Sequence, residues 1–379
     1  MTAHADISHE PDDPRTLVVV FLRGAADGLT LVAPIGDDDY HKLRPRLAVK
    51  PTDAVPLDGL FGMHPNLRAL ETAWKDGDLA IIHGAGGESD TRSHFEAQDL
   101  MEHGGVAAGG WLGRFLRARG PARSPLSAVA LAPTLPESLS GAPSAAAFQS
   151  LGEFAIFGKD EAGSKRDFSR ELQRLYARES DALSTAAQST FEAMRRIEAI
   201  DAKAPAAHGA QYDEKDSFAT GLRQVAQLIK ADLGIDAASV DLNGWDSHFT
   251  QQTLIEPLML RLANGLAAFR QDLGPKRMAH TSVVVMTEFG RRVTENSAFG
   301  TDHGRGGAMF VLGGGVKGGR VIGDWPGLKP DRLDGPGDLP VWNNYRNILA
   351  PVLARHGATD ASLGEIFPDF SLSPIALYF

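Results

Sequence analysis

Hydrophobic residues in this chain are grouped into short runs that are separated by polar and glycine-rich segments. The longest runs cover residues 17–22, 79–82, 282–286 and 308–312. Runs of this length are too short for buried helices and are typical of strands that are buried on both faces of a sheet. Two shorter runs predict additional strands at residues 128–131 and 239–242.

Between these runs, apolar residues recur with the period of an α-helix. Leu254, Leu258 and Leu262 are spaced by four and predict an amphipathic helix over residues 250–273. The other predicted helices cover residues 66–76, 94–102, 165–203, 215–233 and 343–356. A glycine-rich segment is expected to form a hairpin turn at residues 313–319. Strands that alternate with helices indicate an α/β fold with a mainly parallel sheet.

The composition sets the size and class of the protein. The chain has 379 residues, 43% of them hydrophobic, which is enough for a large core. We predict a disordered arm at residues 1–15 and a single α/β domain at residues 16–379, in which residues 165–233 form a helical insertion or cap. The formal net charge of −10 argues against a nucleic-acid partner, because no basic surplus exists to neutralise phosphates.

Other features of the composition exclude further classes of site. The chain has no cysteine, which excludes disulfides, thiolate chemistry and cysteine-based zinc sites. No apolar run is long enough to cross a membrane, so no membrane association is expected. Residues 1–14 lack the basic start and apolar core of a signal peptide. The chain as written is therefore expected to be cytoplasmic, or periplasmic or secreted if an export leader has been removed.

Acidic residues and histidines follow several of the predicted strands. Asp27 lies just after the first strand, at the edge where open α/β sheets bind ligands. Asp246 and His248 lie two residues apart in a turn, so both side chains point to the same side if the turn is extended. Both could then reach one metal ion. The alternative is that Asp246 caps the helix that follows and His248 is an exposed residue at its start.

Two more acidic positions strengthen the metal interpretation. Glu288 follows a buried strand, so its carboxylate must be paired, capping or coordinating. An ion pair with Arg291 or Arg292 is the simpler alternative. Asp302 and His303 lie among glycines, which let the backbone approach a ligand closely. Carboxylates and imidazoles at strand ends together predict a site for a divalent metal.

A candidate nucleophile lies after the second predicted strand. A glycine turn is followed there by hydroxyl residues and a predicted helix start, a layout that suits anion binding at a helix N-terminus. Ser93 is the first candidate nucleophile and Thr91 its rival, and Arg92 could clamp a phosphate or sulfate through two hydrogen bonds. The alternative is that Ser93 only caps the helix, with Glu96 completing a capping box.

These motifs resemble the bacterial DUF1501 family over residues 16–356. The matching segments are residues 21–28, 92–99, 244–248, 287–292, 300–307 and 323–327. That family is similar to the alkaline phosphatase and sulfatase superfamily. The resemblance implies an alkaline phosphatase-like three-layer sandwich with a mainly parallel central sheet and a helical insertion. Enzymes of that superfamily place two metals at the carboxyl ends of the strands and attack the ester with a helix-start hydroxyl or a modified side chain.

The resemblance also implies roles for individual residues. Asp27 resembles the metal ligand of the first strand, and Asp246 and His248 resemble the acid and histidine of one metal site. His303 resembles the last histidine of that site, and Ser93 or Thr91 takes the place of the nucleophile. The candidate metal ligands are Asp27, His94, Asp246, His248, Glu288, Asp302 and His303.

The chain departs from the superfamily pattern at Phe289, and the spacing of Asp246 to His248 is also tighter than in phosphatases. Glu288 falls where the superfamily has an Asp–His pair, so Phe289 stands where the second metal would have a histidine. A phenyl ring cannot coordinate a metal. The second site would therefore be altered, filled from Asp302, or lost.

The leading hypothesis is a metal-dependent hydrolase that acts on a small anionic phosphate or sulfate ester. A divalent metal (Zn, Mn, Ca or Mg) would polarise the ester and lower the pKa of Ser93 or of a bound water. Arg92 or Arg23 would stabilise the oxygens of the transition state. The alternatives are a binding protein that kept one metal without catalysis, and a structural scaffold. The substrate, the oligomeric state and a lid role for residues 165–233 stay open.

Overall fold

The computed structural model describes residues 15–151, 157–159, 165–167, 182–201 and 204–378. The predicted arm at residues 1–15 lies outside these ranges except for Arg15, and parts of the predicted insertion at 165–233 lie outside them as well. No helix in the described ranges is long and apolar enough to span a bilayer.

The strands of the described chain fall into one large and two small sheets. Their bounds are β1 Thr16–Arg23, β2 Val32–Ala33, β3 Val55–Pro56, β4 Gly62–Met63, β5 Leu79–Gly86, β6 Ala128–Ala130, β7 Ala145–Ala147, β8 Phe157–Lys159, β9 Lys165–Asp167, β10 Ala237–Asn243, β11 Thr281–Met286, β12 Gly307–Gly313, β13 Arg320–Ile322 and β14 Asn343–Asn344. The small sheets are β2-β4-β3 and β8-β9.

The helices connect and cover the strands. Their bounds are α1 Gly28–Leu31, α2 Asp38–Leu43, α3 Glu71–Lys75, α4 His94–His103, α5 Trp111–Ala118, α6 Ala182–Glu198, α7 Ser217–Lys230, α8 Gln251–Met278, α9 Tyr345–Arg355 and α10 Asp360–Ile366. Short 3₁₀ turns cover Pro65–Leu70, Glu137–Leu139, Ala207–Gly209 and Pro330–Arg332. Helix α8 is interrupted near its end, because Gly274 has a positive φ of 65°.

The large sheet is mainly parallel, as predicted. Its strand order is β13-β5-β12-β11-β1-β10-β6-β7, and β14 also pairs with β5. The central strand β1 is parallel to both neighbours, with Val20 opposite Val240 on β10 and Val285 on β11. Only β12, of the strands described in this sheet, runs the other way, antiparallel to β11 and β5. The carboxyl ends of the other strands therefore share one edge of the sheet, and β12 begins at that edge.

Both faces of the large sheet are buried under helices. Along β1, Val18, Val20 and Leu22 belong to one apolar cluster, and Leu17, Val19 and Phe21 belong to the other. The first cluster includes residues of α7 and α8, and the second includes residues of α5, α9 and α10. This double burial explains why the strand sequences are apolar throughout rather than alternating. The fold is thus a mixed α/β fold with helices on both sides of its sheet.

Three predicted elements need correction. Residues 165–167 form strand β9 and not the start of a long helix, and the helix described in that region is α6. The segment at residues 313–319 is not a hairpin turn, because β12 and β13 do not pair with each other and instead lie on opposite sides of β5. The helix predicted at residues 66–76 begins as a 3₁₀ turn and becomes α-helical only at Glu71.

Candidate metal centre

The motifs singled out in the sequence meet at one edge of the large sheet. The loops after β1, β10 and β11 leave the carboxyl ends of three adjacent strands. The loop from β5 to α4 leaves the same edge, and the loop after β11 stays at this edge because the next strand, β12, is reversed and begins there. Ligands bind at this edge of open α/β sheets, where loops can place side chains from distant parts of the chain together.

Three histidines surround one carboxylate at this edge. The Nε2 atom of His248 lies 3.3 Å from Oδ1 of Asp246, and the Nε2 atoms of His94 and His303 each lie 3.5 Å from the same oxygen. One donor atom each from His94, Asp246 and His303 all lie within 4.8 Å of one another. The Nε2 atoms of His248 and His303 are 2.9 Å apart. The fold thus collects three imidazoles and a carboxylate from three separate loops.

The opposite nitrogen of each histidine faces an oxygen. Nδ1 of His94 lies 2.8 Å from Oε1 of Glu288, and Nδ1 of His303 lies 2.8 Å from the carbonyl oxygen of Arg92. Nδ1 of His248 lies 3.4 Å from Oδ1 of Asp302. A neutral imidazole that donates from Nδ1 keeps its lone pair on Nε2. These oxygens therefore turn three lone pairs toward the same point, as outer-shell groups do in metal sites.

Residues at the centre fit a divalent metal. Nε2 of His94 is buried and makes no hydrogen bond within the described part of the chain. The lone pairs of His248 and His303 would repel each other at 2.9 Å unless a cation or a proton lay close to both. Three imidazoles and one carboxylate also form a donor set that zinc and similar metals accept. His94, Asp246, His248 and His303 are therefore the residues that would hold the metal.

Arg291 fixes the carboxylate in the centre. Its guanidinium is fully buried and donates to Oδ1 of Asp246 at 2.7 Å, and also to the carbonyl oxygens of Gly24, Ala25 and Thr301. Burial alone would raise the pKa of the Asp246 carboxyl, but Arg291 and the nearby imidazoles outweigh it and lower that pKa. Asp246 is thus held as an anion. It does not cap the next helix, and Arg291 pairs with Asp246 and not with Glu288.

Glu288 lies on the Nδ1 side of His94, behind the point that the three Nε2 atoms face, and its role as a direct metal ligand stays a prediction. Its Oε1 accepts from Nδ1 of His94, from Nε2 of Gln98 at 2.9 Å and from the backbone of Gly24 at 2.9 Å. Burial would raise the pKa of Glu288, but the hydrogen bonds from His94 and Gln98 lower it. The hydrogen bond to Glu288 in turn raises the pKa of His94. Glu288 therefore orients the imidazole of His94.

Asp302 has a comparable place behind His248. Asn296 donates to its Oδ1 at 3.2 Å, and Nδ1 of His248 faces the same oxygen. Burial opposes ionisation of Asp302, but these hydrogen bonds outweigh it and lower the pKa of the carboxyl. The pKa of His303 is lowered by burial and by the charge of Arg291. Asp302 is thus an orienting group for His248 and does not fill a second metal site by itself.

Asp27 lies in a separate buried ion pair with Arg44, and its role as a metal ligand stays a prediction. Its carboxylate accepts from Nη1 of Arg44 at 2.5 Å, from Thr30 at 2.6 Å and from Gln251 at 2.7 Å. It also caps helix α1 by accepting from the backbone of Leu29. Both carboxylate oxygens are engaged and the residue is only 1% exposed. Asp27 therefore fixes the loop after β1.

Phe289 takes up the place next to the imidazoles. Its ring is stacked on that of His94, with centroids 5.1 Å apart and an interplanar angle of 25°, and lies 5.0 Å from the ring of His303. The phenyl ring is buried with Ala25 and Ala97. Phe289 thus forms an apolar wall beside His94 and His303.

The candidate nucleophile lies at the start of helix α4, beside the ligand His94. Ser93 caps the helix by accepting from the backbone of Glu96 at 3.5 Å, and it is exposed. The reciprocal half of the predicted capping box is absent, because the hydroxyl of Thr91 donates to the Glu96 carboxylate at 2.7 Å and accepts from the backbone of Ser93. Thr91 is therefore engaged, and Ser93 is the freer hydroxyl.

The arginines expected to bind the anion are engaged with protein oxygens. Arg92 pairs with the buried Asp338 and donates to the carbonyl oxygen of His303. Arg23 pairs with Asp241 at 2.6 Å and with Glu102 at 3.2 Å. Arg92 therefore clamps the two ligand-bearing loops together, and it does not point a free guanidinium at the centre.

Two contacts near the centre were not predicted from the sequence. Gln98 lies four residues after His94 on the same face of α4, and both side chains reach Glu288. That helical spacing could have indicated it. The contact between Arg291 and Asp246 joins residues that are far apart in sequence, and no local pattern signals it.

A family comparison agrees with the resemblance seen in the motifs. The family model described as "Protein of unknown function (DUF1501)" matches residues 81–359. The chain belongs to this family. The matched range in this DUF1501 protein includes three of the four loops that form the centre, and the loop after β1 precedes it. No curated protein matches the chain.

A structural comparison gives a distant neighbour. The C-terminal periplasmic domain of EcEptC from Escherichia coli, solved in complex with Zn, has 9% sequence identity to this chain and a TM-score of 0.37. The alignment covers 80% of this chain and 73% of that domain. The description of the fold as a mainly parallel α/β sandwich rests on the strand pairing given above and not on this likeness.

Proposed function

We propose that this DUF1501 protein is a metal-dependent hydrolase of small phosphate or sulfate esters, built on an alkaline phosphatase-like sandwich. The observation that carries the proposal is the convergence of three imidazole Nε2 atoms on Asp246, each imidazole oriented by an oxygen behind it. A divalent metal bound there would supply a Lewis acid that polarises the ester and lowers the pKa of a bound water.

The residues of this chain have separate tasks in the proposed reaction. His94, His248, His303 and Asp246 hold the metal, and Arg291 keeps Asp246 ionised and in place. Helix α4 begins at His94, so its first N–H groups and its dipole favour an anion on the same side as the centre. Ser93 at the N-cap is the proposed nucleophile, because it is exposed and adjoins a metal ligand.

Zinc is the proposed metal, with a single site. Calcium and magnesium prefer ligand sets made only of oxygen, whereas imidazole suits zinc. The three imidazoles therefore favour zinc over calcium and magnesium. Phe289 is packed against His94 and supplies no ligand for a second ion. The proposal is accordingly one zinc per chain.

Metal analysis is the direct test. Purified protein, analysed by plasma mass spectrometry before and after chelation, should contain about one equivalent of zinc. Asp246→Ala and His303→Ala should lower the zinc content and abolish the stabilisation by zinc in a thermal-shift assay. Asp39→Ala, which changes a carboxylate far from the centre, is the matched control. Full zinc retention by Asp246→Ala would refute the proposed centre.

A second candidate function is metal binding without catalysis. The arginines near the site favour it, because Arg92 and Arg23 are engaged with carboxylates and offer little to a transition state. A panel of phosphate and sulfate esters, assayed with the zinc-loaded protein, separates the two functions. No turnover on any ester, with zinc bound, would support the binding protein.

Ser93 has two proposed roles, as the N-cap of α4 and as the nucleophile, and two substitutions separate them. Ser93→Asn keeps an N-cap acceptor and removes the hydroxyl, so it should preserve stability and abolish turnover. Ser93→Thr keeps both and should retain part of the activity. If Ser93→Asn hydrolyses esters at the wild-type rate, Ser93 is only a cap and a bound water is the nucleophile.

A further inference from the structure

A cavity of about 490 Å³ lies beside the metal centre. Helix α4, the loop from β5 to α4, the start of α9 and residues 368–370 form its walls. Phe289 and Glu288 both line the cavity and both contact His94, so the cavity adjoins the centre at these two residues. Thr91, on the loop that carries Ser93, lines it as well.

The inner wall of the cavity is apolar. Leu100 and Met101 of α4 face it together with Phe289 and Phe370. The guanidinium of Arg346 lies 4.1 Å from the centroid of the Phe370 ring, which keeps that ring in place against the start of α9. The volume is in the range of about 300–1,000 Å³ that is usual for small-molecule sites. The space is therefore suited to an organic group with the size of a fused aromatic ring pair.

The charges around the cavity disfavour a second anionic group. Two guanidiniums line it, but Arg346 is paired with Glu88 at 2.6 Å and Arg305 with Asp334 at 2.7 Å. Glu96 and Asp369 also line it, and no cation of the described chain pairs with either of them. The uncompensated charge is thus negative. An anionic group would be repelled here, whereas the adjoining metal centre would attract it.

We infer that this cavity binds the uncharged, aryl-sized organic group of the ester, while the anionic group is directed to the metal centre. This inference rests on the proposed function, because it assigns the cavity to one part of an ester substrate. Binding of the organic group in the cavity does not itself require hydrolysis. It assigns the substrate class as aryl or bulky alkyl monoesters whose organic part carries no further negative charge.

Direct binding tests the cavity independently of hydrolysis. 1-Naphthol and 1-naphthoate are titrated into the zinc-loaded full-length protein and followed by ligand-observed NMR. Naphthol should bind saturably, and naphthoate about tenfold more weakly because of Glu96 and Asp369. Leu100→Trp, which fills the cavity, should weaken naphthol binding about tenfold or more. Leu260→Trp, at an exposed position on α8, is the matched control and should bind naphthol normally.

A second variant guards against a folding defect in the first. Phe370→Ala removes one wall from the end of the chain and should weaken naphthol binding several-fold while circular dichroism stays unchanged. Equal binding of naphthol by the wild type, Leu100→Trp and Phe370→Ala would overturn the inference. So would tighter binding of naphthoate than of naphthol.

Ester assays distinguish this inference from the proposed function. Naphthyl esters should be hydrolysed with a higher kcat/KM than methyl esters, and Leu100→Trp should reduce that preference. Hydrolysis of both esters with equal kcat/KM, without naphthol binding, would overturn the cavity and leave the hydrolase intact. Naphthol binding that is lost in Leu100→Trp, without hydrolysis of any ester, would refute the hydrolase and support the cavity as a binding site.

Discussion

At the scale of single residues, the centre depends on which ring nitrogen of each histidine is hydrogen-bonded to an oxygen behind it. Glu288, Asp302 and the carbonyl oxygen of Arg92 each take an Nδ1 atom, and the three Nε2 atoms are left facing Asp246. The oxygens that face the Nδ1 atoms therefore define the centre as much as the histidines do. They fix the tautomers that metal binding requires.

The orienting role of Glu288 leads to a prediction about metal affinity. Glu288→Gln keeps the size of the side chain but replaces the acceptor of His94 with a group that is neutral and partly a donor. We expect zinc affinity to fall about 10–100-fold, the usual effect of losing an outer-shell partner. Competition with a chromophoric chelator measures it. Glu256→Gln, at a partly exposed position on α8, is the control, and an unchanged affinity in Glu288→Gln would contradict the assignment.

Asp27 leads to the opposite prediction. Its substitution by Asn breaks a buried ion pair with Arg44 and leaves the guanidinium without its partner. We expect Asp27→Asn to reduce the free energy of unfolding by about 3–5 kcal/mol in urea denaturation, with the zinc content of the folded protein unchanged. Asp39→Asn removes an exposed ion pair with Lys42 and should leave the free energy of unfolding nearly unchanged, because solvent screens such pairs. Loss of zinc with normal stability in Asp27→Asn would support Asp27 as a ligand.

At the scale of elements, reversal of β12 is what completes the centre. A parallel strand in this position would end at the site, whereas the antiparallel β12 begins there and brings in the loop with Asp302 and His303. The two ends of the loop between β11 and β12 must then pass very close to each other. A Cβ atom on Gly290 would lie 1.9 Å from the carbonyl oxygen of Gly306.

This close approach predicts a large effect of one methyl group. Gly290→Ala must push the two ends of this loop apart, so it should lower the free energy of unfolding by about 1–3 kcal/mol. Zinc affinity should fall as well, because Arg291 is the next residue. Thermal unfolding and metal competition measure the two effects. Gly364→Ala is the control, since nothing lies near its added Cβ on α10 and a helical alanine should be neutral or stabilising.

At the scale of the whole molecule, the buried core carries titratable groups that link stability to pH. His83 on β5 is buried, is stacked between Phe61 and Trp342, and contacts the carbonyl oxygen of Val32 through Nε2. Burial lowers the pKa of His83 from 6.5 to about 4. The unfolded chain therefore takes up this proton at a higher pH than the folded chain does.

The sign of the pH dependence follows from that difference. The contribution of His83 to stability is complete above pH 6.5, is lost progressively as the pH falls toward about 4, and changes no further below that. The total loss is about 3 kcal/mol. Urea denaturation at a series of pH values should show a shallower decline in His83→Phe than in the wild type. Parallel declines in the two proteins would show that His83 titrates normally.

The sequence by itself determined the mainly parallel sheet, because strands buried on both faces must be apolar throughout, and that pattern is local. It also determined the family, through motifs in a fixed order that the family match confirms. The proposal of one domain over residues 16–379, and of an insertion within it, stays a prediction.

Only the tertiary structure decided which of the seven candidate ligands face one another. Seen in the sequence, Asp27, Asp246 and Glu288 are equivalent carboxylates near strand ends. In the fold, Arg44 engages the first, Arg291 holds the second at the centre, and the third supports His94 from behind. These partners lie between 17 and 194 residues away in the chain. A carboxylate's role depends on what it touches, and those contacts exist only when distant loops are brought to the same edge of the sheet.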